Sequence, residues 1–458
     1  MLLRTKKIFF CIFIAILAIT NISCTKETDK DVAESSVSGG KNPALTIYLK
    51  GSSDKKYADA LGIYEGVEIK ARYFTDMEEY INKITAEILS GAGPDIFKTS
   101  NYDFNSVPKL MSSGALSNLD PIINEDKEFD LANYNKTVLN SGVYGGKRYL
   151  IPLDFSMLAF YTTKSALNKS GIQIDSDNWN WDTMVETAGK TVEANKGTGK
   201  FLFQPDYDTV PYFMHFMLGS EIQFFDSNTK KSNFNSAEFI ELLKVYKEKI
   251  YPAICPGETA QNLDTISLLQ NEKVVMLYNG AFNYGGVQEL CKNNSFYKRF
   301  TGEDIEVYPI PAFKTKKGVN AVPYDAMGIN SKCKYKKAAF EYIKRLLSEE
   351  YYKQNYNYNY YATVNNRAFE EEIKYYTDSS ISFGTYSSDK GAFDMVSIPQ
   401  KLSDQLKSVV NNIRQCEFAE NGISKIVRGE LKKYLEGAVT AEQCAKSIND
   451  KCIIYLNE

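Results

Sequence analysis

His215 is the only histidine in the chain, so a Ser-His-Asp or Cys-His catalytic set would have to use it, and a multi-histidine metal site is excluded. It stands in the apolar run Pro211–Met217, which reads as a buried helix, and a histidine satisfied within the core is the plainer reading. The cysteines offer no metal-like spacing either. Cys255, Cys291, Cys333, Cys416, Cys444 and Cys452 are scattered, without a C-x-x-C pair. Cys444 and Cys452 fall on one predicted helix, about 12 Å apart along its axis and too far for a disulfide. Buried free thiols are expected, with other pairings open in an oxidising compartment. Asp206 and Asp208 could form an acid–base pair for glycoside chemistry, yet no nucleophile motif accompanies them. Tyrosine occurs 32 times against 2 tryptophans, and it joins an apolar face to a polar tip, which suits sugars and other polar ligands. A general bias towards Tyr, Asn, Lys and Ile would give the same enrichment. The inventory leaves binding by hydrogen bonds and ring contacts as the available chemistry.

Such groups need a scaffold, and 458 residues are too many for one ordinary core, so two domains are expected. Residues 1–23 read as a signal peptide: Arg4, Lys6 and Lys7 precede the apolar run Ile8–Ile19, which is too short for an ordinary membrane span. Ser23 followed by Cys24 resembles the lipobox of bacterial lipoproteins, with Asn21 where that pattern prefers an aliphatic residue. The resemblance implies lipidation at Cys24, with residues 24–42 as a polar, lipid-anchored tether. Losing the three basic signal residues takes the formal net charge from −3 to −6, which does not favour nucleic acid or an anionic membrane surface.

Folding is expected to begin at a strand over Leu45–Leu49, then a second over Val67–Tyr73. Thr75 and Glu78 form a capping box for a helix whose buried face carries Met77, Tyr80, Ile81, Ile84 and Ile88. Gly91 and Gly93 end it, and Asp95–Phe97 starts another strand. This β-α-β-α-β alternation predicts a mostly parallel sheet with helices on both faces. Further on, Asn180 caps a helix from Trp181 to Ala194, and Asn235 or Ser236 caps one carrying Phe239, Leu242 and Leu243. Amphipathic helices follow over Lys336–Glu350 and after the Thr440/Gln443 capping box. The tyrosine-rich run 351–361 is compositionally biased.

Several segments, taken in order, resemble the extracellular solute-binding proteins of ABC importers, family 1, the broad group that includes maltodextrin-binding protein. They are Gly91, Gly93, Pro94, Asp95 and Phe97; Tyr149, Pro152 and Asp154 leading to Tyr161, Lys164 and Leu167; Trp181 and Asp182; Lys273 and Met276; Pro309 and Pro311; the helix from Lys336; and Gly437 near the end. Thr162 and Thr163, and Glu272, depart from the family pattern. The resemblance implies an α/β, two-lobed periplasmic-binding-protein-like fold (type II) with a hinge and a central ligand cleft. Pro152 and the Pro309/Pro311 pair supply the stiff crossing segments such a hinge needs. The lobes are then 43–152 plus 312–350 and 153–308 plus 355–458.

In an open α/β sheet ligands bind beyond the C-terminal ends of the strands. That rule nominates Ser52 after the first strand, Asn101 after the third, and Asp154 at the crossing. The resemblance adds Asp206 and Tyr207, Phe282 where the family commonly carries a sugar-stacking Trp, and Tyr324 and Asp325 past the second hinge. It implies a receptor, not an enzyme, that captures a small polar solute, an oligosaccharide, and delivers it to ABC permease subunits by lobe closure. Neither cofactor nor metal is implied. The protein would be a monomer on the outer face of the bacterial cell membrane, held by its lipid alone. A surface polysaccharide-degrading enzyme, or a sensor or adhesin on the same fold, are the competing functions.

Overall fold

Two short runs of chain cross between two separate sheets, and both crossings are themselves strands of a third. The first sheet has the order Ile63–Tyr64, Val67–Tyr73, Ala44–Leu49, Ile96–Ser100, Asp325–Ile329, Ile151–Pro152. Ala44–Leu49 runs parallel to Val67–Tyr73, with Leu45 opposite Ile69, and parallel to Ile96–Ser100. Asp325–Ile329 returns antiparallel to Ile96–Ser100, with Asp325 opposite Ser100. The second sheet has the order Phe201–Phe203, Val274–Tyr278, Ala159–Thr162, Glu306–Pro309. Between them lies a four-stranded sheet ordered Ala362–Thr363, Asp154–Met157, Val319–Pro323, Ile413–Cys416. Asp154–Met157 links the first sheet to the second, and Val319–Pro323 links the second back to the first. The two crossings pair antiparallel, Ala321 opposite Met157 and Pro323 opposite Phe155. This computed structural model describes residues 43–458 except 101–103, 105, 206–209, 258–263, 279–285, 357–359 and 389–390.

Proline chemistry explains where each crossing starts. Pro152 and Pro309 end the last strands of the first and second sheets, at edges where a missing N–H breaks no ladder. Val274–Tyr278 is apolar and buried throughout, which suits a strand covered on both faces, whereas Val67–Tyr73, next to the edge of the first sheet, opens to solvent towards its end. Aromatic side chains dominate the core of the second sheet, where Phe160 stacks on Phe203 at 4.5 Å between ring centroids.

The helix signals hold with two shifts, but the expected mostly parallel sheet is mixed, because Asp325–Ile329 runs antiparallel to both its neighbours. The first long helix spans Met77–Leu89, but its cap is Asp76, whose carboxylate accepts from the Glu79 N–H. Asp and Thr stand side by side, and the carboxylate takes the orphan donor, so the expected Thr75 box is displaced by one residue. The expected single helix over Lys336–Glu350 ends at Leu346, and Ser348 caps a new one, Glu349–Gln354. Asn180 caps Trp181–Ala194 with a capping box completed by Thr183, Ser236 caps Ala237–Val245, and Thr440 with Gln443 caps Ala441–Asn457. Cys444 and Cys452 share that last helix, and all six described cysteines are free and buried. Trp181 packs its ring edge-on to Phe216 and Phe313, while the indole N–H of Trp179 donates to the Pro309 carbonyl at 2.9 Å.

Candidate functional site

A carboxylate stands where each crossing strand meets the first sheet. Asp154 is the first residue of one, and Asp325 follows the other directly, past Tyr324. Backbone bonds fasten these two points together: the Leu153 N–H donates to the Asp325 carbonyl at 2.8 Å, and the Tyr324 N–H to the Asp154 carbonyl at 3.1 Å. The Asp325 N–H donates to Asp154 Oδ1 at 2.8 Å.

One cation from the short helix Lys55–Ala58 and one from a first-sheet strand meet these carboxylates. Lys56 Nζ lies 2.6 Å from Asp154 Oδ2 and 3.9 Å from Asp325 Oδ2. Lys98, inside the buried strand Ile96–Ser100, places Nζ 3.0 Å from Asp325 Oδ1 and 3.1 Å from Asp54 Oδ1. Asp54 also accepts from the Lys50 N–H at 2.6 Å, and the Tyr57 hydroxyl donates to Asp325 Oδ2. Asp54, Lys98, Asp154 and Asp325 are each at most 4% exposed, so the Lys98 pairs lie out of water, while Lys56 stays partly exposed. Burial raises the Asp154 carboxyl above the usual carboxylate range, with Lys56 opposing it. At Asp325 burial also pushes upward, but Lys98, Lys56 and the Tyr57 hydroxyl outweigh it and hold the carboxyl low. Burial and the facing carboxylates push the Tyr57 phenol far up, so it stays a donor.

Beside this cluster, Tyr324 and Tyr361 stack with ring centroids 3.6 Å apart and planes 21° from parallel. Tyr361 directly precedes Ala362–Thr363, the strand paired to Asp154 and Phe155. The tyrosine-rich run supplies further fastenings. The Tyr351 hydroxyl donates to the Lys56 carbonyl, and the Tyr352 hydroxyl donates to the Leu153 carbonyl at 2.7 Å.

A second contact joins the helix Val107–Ser112, which follows the first sheet's strand Ile96–Ser100, to the C-terminal helices. Buried Glu420 accepts from Ser106 Oγ at 2.9 Å, Ser227 Oγ at 2.7 Å and the Tyr455 hydroxyl at 3.3 Å. Lys109 Nζ donates to the Tyr455 carbonyl at 2.7 Å and sits 4.0 Å from its ring centroid. Burial raises the Glu420 carboxyl, against those three hydroxyls and Lys109.

Of the nominated residues, the structure brings Asp154, Tyr324 and Asp325 together. Ser52 lies in the 3₁₀ turn Gly51–Asp54 beside them. Asn101, Asp206, Tyr207, Phe282 and Cys24 lie outside the described residues. Lys56, Tyr57, Lys98, Tyr361 and Glu420 went unrecognised in the sequence. Lys98 had a signal: a lysine set within the apolar strand after Pro94 needs a buried counter-charge. His215 is half-buried, its Nε2 3.2 Å from the Tyr278 hydroxyl. Among the described residues, no group of three His, Cys, Asp or Glu side chains could hold a metal ion, and no helix is long and apolar enough to cross a membrane.

The paired crossings between two sheets define a two-lobed binding-protein fold. The chain belongs to the bacterial extracellular solute-binding protein family, whose profile matches residues 48–353, as the ordered motifs imply. A putative binding protein of Brucella abortus is 24% identical over 298 residues, covering 64% of this chain and 67% of that protein. The sugar-binding protein MalE of Xanthomonas citri superposes with a TM-score of 0.65 at 12% identity, over 90% of this chain and 97% of that one. An ABC substrate-binding protein of Listeria monocytogenes, in complex with cycloalternan, gives 0.62 at 16% identity, over 91% and 100%. At these identities the structural likeness is one of fold.

Proposed function

We propose that this protein is the substrate-binding receptor of an ABC transporter and that its solute is an oligosaccharide. It takes the solute between lobes 43–152 plus 312–350 and 153–308 plus 355–458, and closure presents it to the permease subunits. No bond in the solute is broken. A lipid on Cys24 holds the protein, as a monomer, on the outer face of the membrane.

The observation that carries this reading is the shared sheet: two crossings paired side by side give lobes one axis to rotate about. The solute class draws on proteins of like fold, one in complex with cycloalternan, one with acarbose and one with α-D-tagatose. The test is calorimetry of the purified protein against neutral mono- and oligosaccharides, amino acids and organic phosphates, with small-angle scattering to follow closure. Micromolar or tighter binding of a carbohydrate, with a fall in radius of gyration and recovery of the sugar intact, is expected. Binding confined to another solute class would overturn the carbohydrate assignment, and cleaved sugar lost in Asp206→Asn would favour the enzyme. Cys24→Ser is expected to release the protein from the membrane fraction.

A further inference from the structure

The tightest ring contact among the described residues is the Tyr324–Tyr361 stack, and it stands where the first crossing starts and the second ends. Tyr324 occupies the single position between Val319–Pro323 and Asp325–Ile329. Tyr361 is tied to the other crossing, because the next two residues pair with Phe155 and Asp154. The pair therefore belongs to the axis itself and keeps its place whichever way the lobes turn. Both rings are half-buried, which leaves aromatic surface open beside the charge cluster. Gly286, which caps the helix Val287–Thr301, abuts the Tyr360 carbonyl so closely that a β-carbon there would overlap it.

The chemistry of the pair is specific. Burial raises both phenols, so they remain neutral. The carboxylates behind them are bound to Lys56, Lys98 and the Tyr57 hydroxyl. What the pair offers is a fixed apolar face edged by hydroxyl groups. A neutral sugar ring has the complementary surface, an apolar C–H face rimmed by hydroxyls.

We propose that Tyr361, stacked on Tyr324, is a specificity-determining residue that packs against one neutral sugar ring of the solute at the hinge axis. This rests on the carbohydrate reading above and adds to it where one ring sits and which side chain selects it. Tyr361→Phe keeps the face and removes the hydroxyl, Tyr361→Ala removes both, and Tyr361→Trp restores a face.

The experiment is calorimetry of the full chain and these variants with maltotriose, cellotriose and xylotriose, alongside each variant's unliganded melting curve. For whichever trisaccharide the wild type binds, the dissociation constant is expected to rise about 30-fold or more in Tyr361→Ala and about 3–10-fold in Tyr361→Phe. Tyr361→Trp is expected to recover most of the alanine loss and to change the ranking of the three sugars. A purely structural role would lower melting temperatures and leave that ranking unmoved. Wild-type binding matched within 2-fold by Tyr361→Phe and Tyr361→Trp, in the wild-type order, would overturn this proposal alone. If Tyr361→Ala does not fold, those two variants decide. A wild type that binds no carbohydrate, these three included, but binds a solute of another class overturns the carbohydrate reading and this occupant with it.

Discussion

Replacing Lys98 by methionine keeps the length of the side chain and deletes its charge. The ammonium lies 3.1 Å from Asp54 Oδ1 and 3.0 Å from Asp325 Oδ1, with its side chain 1% exposed. Removing one partner of a buried ion pair costs about 3–5 kcal/mol, because the remaining charge is stranded. Here the stranded groups keep some support: Asp54 holds the Lys50 N–H, and Asp325 holds the Tyr57 hydroxyl and the more distant Lys56. The expected loss near neutral pH is therefore at the lower end, about 3 kcal/mol. It should depend on pH with a definite sign. In the native protein the Asp325 carboxyl titrates below its unfolded value, so its stabilisation is present above that value and is lost as pH falls through the folded one. Without Lys98 its folded value rises, and the variant gains proton-linked stability as the solution is acidified. The deficit should then shrink between about pH 7 and about pH 4. Equilibrium urea unfolding followed by far-ultraviolet circular dichroism, at several pH values, measures it. A loss under about 1 kcal/mol at neutral pH, within the range of ordinary surface changes, or a deficit that does not vary with pH, would refute the argument. The double variant Lys98→Met with Asp325→Asn should recover part of the loss, since the two sites are in contact.

Three other outcomes are expected. Glu372 is buried with neither carboxylate oxygen hydrogen-bonded among the described residues, and burial pushes its carboxyl well up; Glu372→Met should stabilise by about 1–3 kcal/mol at neutral pH. That gain should grow as pH rises above the unfolded carboxyl value, because an acid with a raised folded value loses stability there; urea midpoints at two pH values check it. Glu420→Ala removes the acceptor of three hydroxyls and should cost about 1.5–3 kcal/mol, with faster amide hydrogen exchange over Val107–Ser112. Burial pushes the Cys291, Cys444 and Cys452 thiols up to about 12, so a disulfide-exchange reagent should leave them unlabelled until urea is added, and a reducing agent should not shift the melting temperature.

Three strands of the first sheet were legible from short β-patterned runs bounded by turn residues, and Val67–Tyr73 appears at its expected limits; Ile63–Tyr64, Ile151–Pro152 and Asp325–Ile329 were not. The crossing prolines were legible for a covalent reason: proline fixes its own backbone angle and lacks an N–H, so it stiffens the chain and belongs at strand ends and edges. The third sheet was not. Its strands are two to five residues long and find partners far along the chain, so no local pattern encodes the pairing. The same limit applied to the site. Asp154 and Asp325 stood out as polar residues at crossings, but nothing near them in sequence names Lys56 or Lys98 as their partners. Tyr361 was hidden by composition: in a run so rich in tyrosine, a ring that stacks on Tyr324 is indistinguishable from one whose hydroxyl fastens backbone, as in Tyr351 and Tyr352.

Trp179 and Trp181 are the only tryptophans in the chain, and both lie against the segment through which the second crossing leaves its sheet, at Tyr308, Pro309 and Phe313. All indole fluorescence of the protein therefore originates from one small region at the base of the crossing. An emission shift on adding solute can be attributed to that place without mutagenesis or a dye. Stopped-flow mixing then gives the speed of the conformational step from the unmodified chain, separately from the heat of binding.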